Sequence, residues 1–167
     1  RTTMIVVPII AAAGIYIPKT ASRAITDPAG TADTMEVLAP VSLGLDDIRE
    51  IVLQHHGCIA WGGSLNIAPA DDLIIEVEHP LQLDPTAMLL ASILAKKYAV
   101  GATDLLLEIP FGPGTKATKA RANELEKKFV ALGGRLGINV DIIKTDGSQR
   151  VGKGIGPILE ARDVVQV

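Results

Sequence analysis

The C-terminal half of the chain alternates strand and helix signals in an order that few folds accommodate. Residues 104–109 form a near-continuous apolar run, typical of a strand buried on both faces. A Gly- and Pro-rich turn at 110–116 leads into a helix predicted over 117–132, which Gly133-Gly134 is expected to end. A second buried strand is predicted over 138–143. Strand, helix and strand in this order indicate a parallel or mixed sheet.

The N-terminal half shows the same alternation with shorter elements. We therefore predict an α/β fold with a mixed, largely parallel sheet flanked by helices. The sequence shows no repeat or domain boundary, so a single domain is expected over 1–167, and its start without Met in a helical turn indicates a fragment of a longer multi-domain protein. The remaining predicted elements are helices over 3–13, 33–38, 45–56, 85–99 and 158–164, strands over 15–17 and 58–60, and a loop over 61–64.

Composition narrows the class of protein. The chain is 48% hydrophobic and 21% charged, which is typical of a globular core. Because only 3% is aromatic and the net charge is −3, the stacking rings and positive charge of nucleic-acid binders are missing. The apolar segment from Met4 to Ala13 is too short to span a membrane. The single Cys58 excludes an internal disulfide and favours a reducing, cytoplasmic compartment, and His55, His56 and His79 lack metal-ligand spacing.

Ser22 to Asp33 gathers small side chains, hydroxyls and one guanidinium immediately before an apolar run. Backbone N–H groups, the hydroxyls and the fork of Arg23 can hold phosphate oxygens near the positive end of the following helix. A polar loop with a helix cap at Thr31 explains the same residues about equally well. The residues alone leave both interpretations open.

Two further glycine-rich loops are candidate phosphate sites. In the segment from Gly112 to Lys116, glycines let the backbone approach a ligand, and Lys116 reaches it from the start of a helix. The spacing differs from that of a P-loop, which argues against nucleotide hydrolysis of that type. The segment from Gly152 to Gly156 is a weaker candidate, since glycines in a turn before a helix explain it as well.

Several ordered motifs resemble the thymidine/AMP phosphorylase family, most closely its archaeal AMP phosphorylases. The resemblance covers essentially the whole chain and implies the central α/β domain of an enzyme with a helical domain before it and another domain after it. In that family the active site lies in the cleft between the first two domains. The motifs are SRAIT at 22–26, PAGTADTME at 28–36, LNIAPAD at 65–71, ASILAKK at 91–97 and GPGTK at 112–116.

The resemblance implies phosphorolysis of nucleoside 5′-monophosphates: AMP and inorganic phosphate give adenine and ribose 1,5-bisphosphate. Phosphate is then a co-substrate, and no cofactor is implied. Nucleic acid and membranes are not expected as partners. The protein is expected to form a homo-oligomer. The family's helical domain and its Lys-His-Ser phosphate motif lie outside this sequence, so the isolated chain is expected to be inactive. The alternative is a binding or assembly module derived from the phosphorylase domain.

The resemblance also implies roles for individual residues. Asp84 matches the proton donor to the leaving base, and the alternative is a cap for the following helix. Glu78 and His79 stand near the place where the thymidine enzymes have a base-contacting Arg, which argues against thymidine, and Asp27 stands where the AMP enzymes have Ser. The implied substrate and phosphate contacts are Ser22, Arg23, Ala24, Ile25, Thr26, Asp27 and Thr31 in the first loop, and Ser92, Lys96 and Lys116 further along.

Overall fold

The structure is a computed structural model that describes residues 1–24, 28–65, 67–81, 85–149 and 151–167. The chain separates into two compact units, the first comprising Arg1–Asn66 with Val151–Val167 and the second Ile67–Arg150. In chain order the elements are α1 (Thr2–Ala12), β1 (Ile17–Ala21), α2 (Thr31–Glu36), α3 (Leu45–His55), β2 (Gly57–Trp61), a 3-10 turn (Gly62–Ser64), α4 (Pro69–Leu81), α5 (Thr86–Ala99), β3 (Asp104–Phe111), α6 (Lys119–Arg135), β4 (Asn139–Asp146) and α7 (Pro157–Val165). The α/β prediction is confirmed, and that of a single domain stays a prediction.

The first unit is built on a parallel pair of strands, β1 and β2. The predicted strand over 15–17 is wrong in its bounds, because β1 begins at Ile17 and runs through Pro18. The N–H of Ile17 donates to the carbonyl oxygen of His56 at 2.7 Å. Successive N–H groups of a strand point to opposite sides, so the N–H that Pro18 lacks would face away from β2, and the proline is tolerated. The core of this unit comprises Met4, Val7, Ala21, Ala32, Val41 and Ile59.

The second unit contains the predicted strand–helix–strand, with β3 and β4 parallel and in register from Asp104 opposite Asn139 to Phe111 opposite Asp146. The prediction that β3 is buried on both faces is wrong. Leu105 and Leu107 pack on the core, whereas Leu106 between them is 65% exposed. In a strand, alternate side chains point to opposite faces. The buried core of this unit comprises Leu90, Leu94, Ile109, Ala117, Ala122, Leu125, Phe129, Ile138 and Val140.

The two glycines expected to end α6 lie inside it, since the helix continues to Arg135. Gly133 is buried, and a Cβ atom built on it would overlap Cγ2 of Val140 on β4. Gly134 faces open space, with nothing within 4 Å of such an atom. The first glycine is therefore explained by the close approach of helix and strand.

Helix α4 was not predicted. Its sequence carries the signals of one: Pro69 at the first position, Asp71 in the first turn, and Leu73, Val77 and Leu81 at intervals of four residues. These three apolar side chains are exposed. Within the described ranges, no helix has both the length and the apolar character needed to cross a membrane.

Candidate functional site

The loop after β1 holds Arg23, the guanidinium assigned to phosphate. Its two terminal nitrogens form a forked pair with Glu36 at 2.6 and 2.8 Å, and one of them also reaches Oδ1 of Asp33 at 3.0 Å. The Cζ atom lies 4.7 Å from the centre of the Trp61 ring, in cation–π geometry. Both carboxylates lie on α2, three residues apart. In this structure the fork of Arg23 therefore binds carboxylates of the protein itself.

Backbone amides of the same loop also donate to Asp33. Its Oδ2 accepts the N–H of Ala24 at 2.7 Å and that of Gly30 at 2.9 Å. Burial acts to raise the pKa of Asp33, but these amides and Arg23 outweigh it and hold that pKa below its usual value. The hydrogen bond from Arg23 lowers the pKa of Glu36. An anion binding here competes with two carboxylates for the donors.

Gly30 closes the loop by close backbone contact. A Cβ atom there would lie 2.5 Å from the carbonyl oxygen of Ser22 and 2.5 Å from the nitrogen of Ala24. Ser22 accepts the N–H of Ala32 at 3.1 Å, which joins the start of the loop to α2. The alternative interpretation of Thr31 as the helix cap is wrong, because Gly30 occupies the N-cap position and Thr31 is the first helical residue. Three other predicted contacts, Ile25, Thr26 and Asp27, lie outside the described residues.

In the second unit, the predicted pair Ser92 and Lys96 is brought together on α5 by a third residue, Asp71 of α4. The hydroxyl of Ser92 donates to Oδ2 of Asp71 at 2.9 Å. The ammonium of Lys96 lies 2.7 Å from the same oxygen and 3.5 Å from the Ser92 hydroxyl. One buried carboxylate oxygen thus anchors two side chains one helical turn apart.

The charges of this cluster lie in a largely desolvated place. Asp71 is 6% exposed, and the side chain of Lys96 is 24% exposed. Within the part of the chain that the structure describes, Oδ1 of Asp71 is buried without a hydrogen-bond partner. Burial lowers the pKa of the adjacent Lys97, and the charge of Lys96 lowers it further. Sequence reasoning missed Asp71, although the motif at 65–71 contains it.

The glycine-rich turn before α6 presents Lys116 on the surface. Gly112 and Gly114 have positive φ angles of 135° and 79°, which favour glycine. The Thr115 hydroxyl donates at 2.8 Å to the carbonyl of Gly112. The predicted helix start at 117 is two residues early, because Thr118 is the N-cap and accepts the N–H of Arg121 at 3.2 Å.

The turn at 152–156 already binds a carboxylate of the chain. Oδ2 of Asp163 accepts the N–H groups of Lys153 and Gly154, each at 2.7 Å. The Arg1 guanidinium donates to the Gly154 carbonyl and lies 3.6 Å from Asp163. The backbone amide of Gly154 lowers the pKa of Asp163 against an opposing effect of burial. This arrangement joins the start of the chain to α7.

Two other predictions concern Asp84 and metal binding. Asp84, the predicted proton donor, lies outside the described residues, and Pro85 is the N-cap of α5. Among the residues that the structure does describe, no group of three or more His, Cys, Asp or Glu side chains is arranged to hold a metal ion. The proton-donor role of Asp84 and the prediction that no cofactor is needed both stay predictions.

Comparison with known proteins finds relatives that match the whole chain. No protein-family model matches the chain. Proteins named "Putative thymidine phosphorylase" are 56% identical in Bradyrhizobium sp. strain BTAi1, 55% in Rhodopseudomonas palustris strain CGA009 and 53% in Albidiferax ferrireducens, each over 168 aligned positions. Each match covers 100% of this chain but only 32–33% of the relative, so the chain spans about a third of the length of these curated relatives. The two units with their parallel strand pairs define an α/β protein. The chain is thus similar, along its whole length, to about a third of proteins named putative thymidine phosphorylase, which is consistent with a fragment of that family.

Proposed function

We propose that the full-length protein carrying this sequence is a nucleoside phosphorylase, a pentosyltransferase that uses inorganic phosphate. The observation that carries the proposal is the identity of 53–56% over the whole chain to proteins named as phosphorylases. The Ser92–Lys96 pair supports it, because a hydroxyl and an ammonium on one helix face can bind the polar edge of a base. Nucleoside and phosphate are then the substrates.

In the proposed reaction, an oxygen of phosphate attacks C1′ of the sugar while the N-glycosidic bond breaks. The electron pair of that bond leaves with the base, which takes a proton from the carboxyl group of Asp84. Because a free Asp is almost wholly ionised near neutral pH, burial or a neighbouring negative charge must keep Asp84 protonated. The sugar carbon carries positive charge in the transition state, and bound phosphate lies close enough to stabilise it.

We further propose that the substrate is a nucleoside 5′-monophosphate, with AMP giving adenine and ribose 1,5-bisphosphate. The support is the motif resemblance in the loop from Ser22 to Thr31, together with Glu78 and His79 near the place where the thymidine enzymes have a base-contacting Arg. The 5′-phosphate would compete with Asp33 and Glu36 for the donors of this loop. Lys116, on its surface turn, is a second proposed phosphate contact.

A substrate panel tests the proposal. The full-length protein is incubated with phosphate and AMP, CMP, adenosine or thymidine, and release of free base is measured by chromatography. We expect phosphate-dependent release, fastest from a monophosphate. Preference for thymidine would contradict the monophosphate proposal while supporting phosphorolysis, and release from none of the four would contradict both.

Asp84→Asn tests the proton donor in the same protein. Loss of a general acid lowers turnover by about a hundredfold or more, with nucleotide affinity nearly unchanged. If Asp84 takes no part in proton transfer, Asn keeps the size and the side-chain oxygen of the residue, and turnover stays within a few-fold. Asp141→Asn, the same substitution at an exposed position of β4, is the matched control.

The isolated chain is expected to behave differently from the full-length protein. We propose that the 167 residues fold but release no base, and that they self-associate. Exposed Leu73, Val77 and Leu81 on α4 support self-association, because contiguous apolar surface favours contact between copies. Light scattering that reported only the monomer mass of 17.5 kDa up to millimolar concentration would contradict it.

A further inference from the structure

Asp71 is a buried carboxylate to which the mechanism above gives no role. It lies in the first turn of α4, whereas Ser92 and Lys96 lie on α5. Its Oδ2 contacts both of them, at 2.9 and 2.7 Å, and its Oδ1 is buried with no hydrogen-bond partner among the described residues. Two groups on the neighbouring helix thus account for its hydrogen bonding there. A buried charge of this kind costs free energy unless an opposite charge lies next to it.

The pairing restricts both partners. A lysine has a flexible stem with four rotatable bonds, and an exposed ammonium samples many positions. The ion pair with Asp71 holds the Lys96 ammonium at one place while leaving other N–H groups to donate. Because Ser92 donates its hydrogen to Asp71, its oxygen is left to act as an acceptor.

We propose that Asp71 is a positioning residue, which fixes the Lys96 ammonium and the Ser92 hydroxyl so that they meet the base with one donor and one acceptor. The inference rests on the proposed function, since it assigns these two side chains to the substrate. The complementary ligand is a heterocycle edge that offers an N–H or N–H₂ donor beside an oxygen or nitrogen acceptor. Asp71 itself need not touch the substrate.

A double-mutant cycle in the full-length protein tests this role, with Asp71→Asn, Lys96→Met, the double variant and the Asp141→Asn control. We expect Asp71→Asn to lower kcat/KM about 10- to 100-fold, mainly through KM, because misplaced binding groups cost on this scale. If Asp71 acts through Lys96 and Ser92, its loss costs less when Lys96 is already Met, so the losses in kcat/KM of the two single variants are less than multiplicative in the double variant. Multiplicative losses would overturn the proposal.

The effect of Asp71 can still be measured if the single variant Asp71→Asn does not fold, by comparing variants that also carry Lys96→Met. That single variant leaves the Lys96 ammonium half-buried and without its carboxylate, whereas the double variant removes both charges, which is often neutral for stability. Ser92→Ala combined with Lys96→Met removes both groups through which Asp71 is proposed to act. Adding Asp71→Asn to that pair should leave kcat/KM unchanged, and a further tenfold loss there overturns the proposal. Circular dichroism spectra establish that each variant compared is folded.

A readout on the 167-residue chain separates this inference from the proposed function. Reductive methylation followed by mass spectrometry measures the labelling rate of each lysine. We expect Lys96 to label several-fold faster in Asp71→Asn than in the wild type, while the exposed Lys119 and Lys127 stay unchanged. Equal labelling of Lys96 in both would overturn the inference even if the enzyme is active. Faster labelling together with no base release by the full-length protein would overturn the proposed function alone.

Discussion

Replacing Gly133 by Ala measures how closely α6 packs on β4. A Cβ atom at Gly133 would overlap Cγ2 of Val140 and lie 3.3 Å from the carbonyl oxygen of Ile138, whereas one at Gly134 would meet nothing within 4 Å. Overpacking a core costs about 1–3 kcal/mol, and Ala in place of Gly stabilises a helix by up to about 1 kcal/mol. We expect Gly133→Ala to lower the free energy of unfolding by about 1–2 kcal/mol, and Gly134→Ala to raise it by up to about 1 kcal/mol.

The assay is urea denaturation of the 167-residue chain followed by far-UV circular dichroism, with the free energy obtained by linear extrapolation. The two glycines are neighbours in one helix, so the difference between their variants isolates the steric contribution at Gly133. Gly133→Ala should cost less in a Val140→Ala background than in the wild type, because Val140→Ala removes the methyl groups nearest the new Cβ. A Gly133→Ala variant as stable as Gly134→Ala would refute the packing argument.

Three further predictions concern the first unit. Gly30→Ala should destabilise the chain to urea by about 1 kcal/mol or more, because backbone atoms occupy the position of the new methyl group, and an unchanged urea midpoint would contradict this. The pKa of Asp33 is lower in the folded protein than in the unfolded chain, so its carboxylate stabilises the fold above about pH 4, and that contribution is lost as the pH falls through the folded pKa. Asp33→Asn should therefore reduce the loss of stability on acidification, measured as the free energy of unfolding against pH. An unchanged loss in the variant would contradict the lowered pKa of Asp33. Burial raises the pKa of Cys58, so alkylation by iodoacetamide at pH 8 should be slow in the native chain and fast in urea, and equal rates would be inconsistent with the burial.

Much of the second unit is predictable from local pattern, because the apolar runs at 104–109 and 138–143 and the helix between them carry strong signals. The end of α6 was not predictable in this way, because a pair of glycines ordinarily signals the end of a helix. Here Gly133 lies inside the helix, since Val140 of the neighbouring strand β4 comes close enough to require a residue without a side chain. The exposure of Leu106 also depends on tertiary packing, because it is decided by which face of the sheet other elements cover.

The candidate site also combines contacts that local sequence predicts with contacts that only the tertiary structure makes. The spacing of Ser92 and Lys96 on one helix face predicts that they lie together, and the structure confirms that they do. Asp71 joins them from another helix, 21 residues before Ser92, and no local pattern predicts that contact. The contacts of Arg23 with Asp33 and Glu36 could have been predicted, because these two carboxylates lie one turn apart on α2, the helix that follows the loop.

The central claim is that the full-length protein cleaves a glycosidic bond with phosphate, and ³¹P NMR of the reaction mixture tests it most directly. With AMP and inorganic phosphate, we predict that the phosphate resonance declines while a sugar 1-phosphate resonance grows in equal amount, together with stoichiometric free adenine. Without added phosphate, no base should be released. Adenine released at the same rate without phosphate, and with no sugar 1-phosphate, would identify a hydrolase and contradict the account.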